Sequence, residues 1–194
     1  MRPRRQELGL LCGPSTSPLD VSRPGVIVGL GAVVLTAAAL VWANHSVPPL
    51  PADAKADLLV VEKSARRLSV YQHGALLRSY TVSLGRHPVG PKEREGDHRT
   101  PEGRYIIDRH NPQSAFHLAL HVSYPSAGDS ARAAAAGYPA GANIMVHGMR
   151  NGLGWLGRSA LLLDWTDGCI AVTDAEMDQL YQAVPDGTPI EIRP

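Results

Sequence analysis

No charged side chain occurs between Pro24 and Ala52, and residues 26–43 are continuously apolar or small apart from Thr36. Such a run is too long and too uniformly apolar to cover the surface of a water-soluble fold. It therefore divides the chain into a leading segment, an apolar span and a body. About 20 apolar residues cross a bilayer as a helix, and this stretch is long enough with modest adjustment. Arg2, Arg4, Arg5 and Arg23 precede it, against Glu7 and Asp20. Basic flanks hold their side of a span in the cytoplasm and send the bulk of the chain outward. The chain thus reads as a basic cytoplasmic segment (1–23), one transmembrane anchor (24–46), a stiff Pro-rich linker (47–56) and one exported domain (57–194). A cleaved signal is the alternative, with Val41 and Ala43 before a cut at Asn44, and would leave the body secreted.

The body is turn-rich. The chain holds 19 Gly and 16 Pro but one Phe, Phe116, a balance that favours β structure over a helical bundle. Its formal net charge of +1 gives no reason to expect nucleic acid or an acidic partner. Strand-type runs are predicted over 58–62, 68–72 and 75–84, the last two forming a hairpin about His73-Gly74. Residues 85–103 are dense in Gly, Pro and charge and read as a long loop of the kind that often carries function. Further strands are expected over 104–108, 116–122, 144–146, 170–172 and 189–192. An Ala-rich helix over 129–136 stops at Gly137. A second helix, over 174–184, starts at a capping box made by Thr173 and Glu176. The expected class is mainly β (α+β), with two or three short helices after the anchor.

The body's one cysteine, Cys169, lies in DWTDGCIAV, between a glycine and an apolar run, and His147 lies upstream in IMVHG. Cys12 would remain in the reducing cytoplasm while Cys169 faces an oxidising compartment without a partner in its own chain, which supports a use for the thiol. Only a few per cent of a free thiol, with its pKa near 8.5, is ionised at pH 7, so an imidazole is its usual activator. The pair reads as a cysteine acyl-transfer site.

The opening hairpin VEKSARRLSVY, then GDHRTPEGRY, IMVHG, and TDGCIAV before a capped helix, resemble the YkuD-type L,D-transpeptidase catalytic domain of bacterial cell-wall enzymes. The resemblance covers residues 57–194 and is nearest to that family's YafK/DpaA-like branch. It implies a β-sandwich or barrel-like domain in the periplasm and no metal or organic cofactor; the inner-membrane anchor through residues 26–43 is read from the apolar run itself. It implies that Cys169 is the nucleophile on the amide between diaminopimelate and D-alanine of a peptidoglycan stem peptide. His147 would be the general base and acid, oriented by the Gly148 carbonyl. A thioester would form and pass to an amine. The backbone amides of Asp167, Gly168 and Cys169 would form the oxyanion hole. Arg150, Arg158, Trp165 and Thr166 are the substrate-binding candidates, the arginines for stem carboxylates. Two positions depart from the common motif, Asp167 where the family usually has His and Ala171 where it has Arg or Asn. An amidase that releases a peptidoglycan-linked lipoprotein, and an inactive peptidoglycan-binding module, are the alternatives.

Other residues receive plainer readings. An Asp167 carboxylate facing the thiol would oppose its ionisation, so it is expected to point away or to bind an amine. Asp164 either lines the cleft or fixes the approach to the nucleophile loop. His117 and His121 read as strand-face or substrate-lining positions, and His73, His87 and His98 as solvated. Gly85, Thr100, Pro101 and Gly103 shape the site.

Overall fold

The computed structural model describes residues 24–45 and 48–194, with the side chains of the first helix described from Val33 onward; the basic segment over 1–23 lies outside the described residues. The chain forms two units, Met1–Ala38 and Ala39–Pro194. Helix α1 (Pro24–Ala43) coincides with the apolar run, and proline at its first position removes an N–H that would find no partner there. Val34, Leu35, Val41 and Trp42 are exposed. Among the described residues no helix is long and apolar enough to cross a membrane. The spans predicted over 24–46 and 47–56 therefore fare differently. The first is helical to Ala43. The second does not run free as a linker: Leu50 and Ala54 pack on Ala183 and Leu77, and Ala56 N–H donates to the Ala183 carbonyl at 2.7 Å.

The second unit is built on β1 (Leu58–Glu62), β2 (Arg67–Gln72), β3 (Ala75–Thr81), β4 (Gly103–Asn111), β5 (Ala119–Val122), β6 (Met145–His147), β7 (Ile170–Ala171) and β8 (Pro189–Arg193). They form one eight-stranded sheet in the order β3-β2-β1-β8-β4-β5-β6-β7. β1 with β8 and β6 with β7 are parallel, and the remaining pairs antiparallel. Past β3 the chain crosses to the opposite edge, where Ser83 and Ala171 exchange backbone hydrogen bonds of 2.9 and 2.8 Å and Gly85 bridges Thr166. The two edges thereby meet. Of the expected sandwich or barrel-like forms the structure takes the second, one mixed sheet curled into a half-barrel.

Alternate positions fill its core, as strand geometry requires: Leu59 and Val61, Leu68 and Val70, Leu120 and Val122, Ile190 and Ile192. Helix α3 (Asp174–Ala183) contributes Met177 and Leu180 and begins at the predicted box, where Glu176 Oε2 accepts Thr173 N–H at 3.0 Å. Helix α2 (Ala127–Ala135) begins earlier than predicted. Asp129 is not its start but the third helical residue, returning its carboxylate to Ser126 N–H at 2.9 Å while Ser126 Oγ accepts Asp129 N–H at 3.2 Å. The 3-10 segment Gly154–Leu162 was not foreseen. The predicted strand over 116–122 is shorter, since His117 adopts φ 61° and the extended run begins only at Ala119.

The loop over 85–103 is tightly tied. Asp97 accepts hydrogen bonds from Lys92 Nζ (2.7 Å) and from the amides of Glu93, Arg94 and Arg99 (2.8–3.1 Å). Burial raises the Asp97 carboxyl, but Lys92 and those three amides outweigh it and hold the group at about 2. At the other end buried Lys63 ties the Gly90 and Thr100 carbonyls to Glu102, at 2.6, 3.0 and 2.7 Å. Burial lowers its pKa against the pull of Glu102.

Candidate active site

β6 and β7 lie parallel with Val146 opposite Ile170 and His147 opposite Ala171. Side chains alternate along a strand, so Val146 and Ile170 enter the core while His147 and Ala171 turn to the other face. Cys169 immediately precedes β7. Both His147 and Cys169 line one cavity of about 760 Å³. Its remaining walls include Phe116, Met149, Leu156 and Trp165.

The imidazole is boxed in. His147 is 4% exposed, with the Phe116 ring 4.7 Å and the Trp165 ring 5.8 Å from its own, and the two aromatics stack at 6.1 Å. Its Nδ1 lies 2.7 Å from the Gly148 carbonyl oxygen. A carbonyl only accepts, so Nδ1 carries the proton and the neutral ring keeps its lone pair at Nε2. Burial lowers the pKa of His147, and the bond to Gly148 offsets part of that. Burial raises the Cys169 thiol, with the Met145 amide acting the other way and the Asp167 charge adding to the rise. The resting pair is therefore neutral imidazole and protonated thiol. The thiol sulfur lies 3.6 Å from the Asn143 carbonyl oxygen.

Gly148 sits where a side chain could not: a Cβ there would meet Asp174 Oδ1 at 2.6 Å, the same atom that accepts Met149 N–H at 2.7 Å. The N-terminus of α3 thus pins the residue that orients His147. Gly168 has φ 128°, and its Cβ would stand 2.6 Å from the Arg99 carbonyl oxygen. Only glycine turns the nucleophile loop there.

Two of the expected groups are engaged within the loop. Thr166 lines the cavity, and its Oγ1 donates to the Cys169 carbonyl at 2.7 Å and accepts Gly168 N–H at 3.1 Å. The Gly168 amide is thereby engaged and is not an open oxyanion donor. Among the described residues the amides of Asp167 and Cys169 make no hydrogen bond. Trp165 lines the cavity, and its buried Nε1–H has no partner among the described residues.

Asp167 lines the cavity with Cys169. Its carboxylate pairs with Arg86 and with His98 Nδ1, the latter at 2.8 Å, and Arg86 first of all holds it below the usual carboxylate range. Asp164 does not line the cleft: Oδ1 accepts Leu84 N–H at 2.9 Å and Oδ2 pairs with Arg66 at 2.7 Å, fixing the approach to the loop. Arg150 lines the cavity and forms no ion pair among the described residues. Arg158 lies elsewhere, lining two other cavities with Asn44 and Leu162.

Of the remaining histidines, His73 is solvated, 3.5 Å from Asp57. His87 and His98 make an edge contact at 5.7 Å, so His98, which also meets Asp167, is not simply solvated. His117 and His121 pair with Asp178 and Asp108 at 2.7 and 2.6 Å and line no part of the cavity. Thr100 supports the site by accepting Gly85 N–H at 3.0 Å. Among the described residues no group of three His, Cys, Asp or Glu is arranged to hold a metal. Phe116, Met149, Arg86 and Asp174 were missed from sequence. Their roles arise from contacts between distant segments and leave no local pattern to read.

Residues 56–192 match the YkuD family, the L,D-transpeptidase catalytic domain. YafK of Escherichia coli K12, provisionally named an L,D-transpeptidase, is 28% identical over 159 residues, which cover 76% of this chain and 57% of that protein. The chain thus spans little more than half the length of the curated relative it matches. The helical cell shape determining protein Pgp2 of Campylobacter jejuni is similar in structure, with a TM-score of 0.54 at 24% identity over 80% of this chain and 54% of that one. Bd1075 of Bdellovibrio bacteriovorus has a TM-score of 0.51 at 22% identity over 76% of this chain and 51% of that one. At those identities the likeness is one of fold.

Proposed function

This chain belongs to the YkuD L,D-transpeptidase catalytic domain family, and from that premise we propose that it is a cysteine acyltransferase of peptidoglycan stem peptides. The observation that carries the reading is a neutral, oriented imidazole and an unpaired thiol lining one peptide-sized cavity.

In the proposed reaction Cys169 Sγ attacks the carbonyl carbon of the diaminopimelate–D-alanine amide while His147 Nε2 takes the thiol proton. Because burial disfavours both the free thiolate and the imidazolium, proton transfer accompanies attack and does not precede it. The carbonyl oxygen takes up negative charge beside the amides of Cys169 and Asp167, a role worth about 3 kcal/mol for one donor. His147 returns the proton to the leaving amine nitrogen, D-alanine departs, and a thioester to Cys169 remains. An amine acceptor then attacks that thioester, His147 takes its proton, and the thiol is regenerated. Arg150, which lines the cavity and forms no ion pair among the described residues, holds a stem-peptide carboxylate, and Trp165 packs on the apolar part of the substrate.

The apolar run over 26–43 and the basic residues before it in the sequence support an inner-membrane anchor with the catalytic domain in the periplasm. Retention of the full-length protein in the membrane pellet after alkaline extraction tests that placement, and release into the supernatant counts against it.

The activity is tested by incubating the full-length protein in detergent with tetrapeptide-bearing muropeptides. Release of D-alanine with a crosslinked product is expected, and Cys169→Ser abolishes it while the circular dichroism spectrum stays unchanged. Turnover by Cys169→Ser overturns the assignment. Cleavage of lipoprotein-linked muropeptide without crosslinking would make the protein an amidase, and binding without turnover would make it a binding module.

A further inference from the structure

Two loops meet over the nucleophile in a way that catalysis by Cys169 and His147 leaves unexplained. Arg86 N–H donates to the Thr166 carbonyl at 3.0 Å, which fastens the loop over 85–103 one residue from Asp167. From that anchor the Arg86 guanidinium reaches Asp167 Oδ1, the oxygen that His98 Nδ1 also meets at 2.8 Å. Asp167 lies two residues before Cys169, on the loop that carries the thiol. Its side chain is 75% exposed, and exposed ion pairs add little to stability. A fold clamp is thus a weak reason for three ionisable groups to converge there.

Electrostatics gives a better one. A thiolate forming at Cys169 is opposed by any free negative charge a few ångströms away, and a bound guanidinium weakens that opposition. The other charged or titratable groups about the thiol are His147 on β6, Arg150 across the cavity and Lys92 in the loop, and Lys92 is already paired with Asp97 at 2.7 Å. Asp167 is the one anion among them whose neutralisation depends on exposed partners.

We propose that Arg86 is a positioning residue for the nucleophile: with His98 it holds the Asp167 carboxylate paired, so that its charge opposes negative charge developing on Cys169 Sγ less than a free carboxylate would. This rests on Cys169 being the reacting thiol.

The test compares variants that break the same bridge. Arg86→Ala leaves a free carboxylate beside the thiol, whereas Asp167→Asn removes it. The full-length protein is labelled with iodoacetamide across a pH series, and alkylation of Cys169 is followed by peptide mass spectrometry, which separates it from Cys12. Arg86→Ala raises the midpoint by about one pH unit, a roughly tenfold slower reaction below it. Arg86→Lys restores most of the shift. Asp167→Asn does not raise the midpoint, and the Arg86→Ala/Asp167→Asn double variant returns to the wild-type profile. A midpoint unmoved in Arg86→Ala, or raised equally in Asp167→Asn, overturns the inference, since a structural bridge would treat both variants alike. If Arg86→Ala does not fold, Arg86→Gln takes its place: a midpoint unmoved in Arg86→Gln, or raised equally in Asp167→Asn, rejects the clamp. Wild-type muropeptide turnover is measured in parallel. Turnover with an unmoved midpoint rejects the clamp alone, and a moved midpoint without turnover rejects the proposed activity alone.

Discussion

His147 donates Nδ1–H to the carbonyl oxygen of Gly148, its neighbour in the chain, at 2.7 Å. A backbone carbonyl cannot ionise, so it fixes the ring without the charge that an acidic partner would bring. The imidazole gains an orientation but little support for its protonated form, and burial then dominates its basicity.

The pH profile should record this. With its pKa lowered from 6.5, His147 stays neutral down through the mildly acidic range, so the acid limb of kcat/KM has its midpoint below 6.5. The same shift bears on stability. An unfolded chain binds the proton first as pH falls below 6.5, so this group's contribution to stability is full above that value. It declines as pH falls toward the folded value. An acid limb centred at or above 6.5 would contradict the buried, carbonyl-held imidazole.

Phe116→Ala removes the ring packed 4.7 Å from His147 and admits water to one side of it. Since burial is the cause of the depression, the acid limb moves up, and KM rises because a wall of the cavity is lost. Titration of the His147 ring by NMR checks the first effect. No upward movement would mean that Trp165 and Met149 suffice to exclude solvent.

Gly168→Ala should damage both activity and fold. The residue has φ 128° and its Cβ would approach the Arg99 carbonyl oxygen to 2.6 Å. The loop must shift, at a cost of about 2 kcal/mol, or roughly 4–8 °C in melting temperature. Thiol alkylation at Cys169 changes with it, because the same turn positions the sulfur. An unaltered melting curve would show that the two backbones have room to separate at no cost.

Asp97→Asn leaves buried Lys92 without its counter-charge and turns one of the two accepting oxygens into a donor, so part of the set of three amides loses its acceptor. The expected loss is about 3 kcal/mol, measured by urea denaturation near neutral pH. In the wild type the carboxyl sits at about 2, below the unfolded 3.8. Its contribution is therefore complete above 3.8 and disappears as pH falls through about 2. The variant's stability should be flatter across that window, and identical acid slopes would rule out this role for Asp97.

What the sequence disclosed was whatever is local in the chain. The period-2 runs of β1, β2 and β8, the capping box at Thr173 and Glu176, and the Gly-bounded His147 and Cys169 all lie within a few residues of their own signals. What stayed hidden was non-local. Lys63 reads as a surface lysine of a hairpin, yet it is buried under a loop nearly forty positions on. Thr166 looks like a side chain offered to substrate because nothing in DWTDGC tells that its hydroxyl closes on its own loop. Asp129 misled for a different reason: aspartate at the third helical position completes a box as glutamate does, and the Ser126 cap was therefore passed over. The 3-10 segment escaped because Gly157, at φ 48°, interrupts any helical period.

The seam at Ser83 and Ala171 has a consequence for how such a molecule fails. β7 holds only Ile170 and Ala171, and part of its backbone pairing comes from the far end of the sheet. Breathing of that short zipper would carry the sulfur out of alignment while the eight-stranded framework stayed intact. On warming, catalytic competence should vanish several degrees before the cooperative melt, and amides along residues 83–86 and 170–172 should be the first of the sheet to exchange with deuterium.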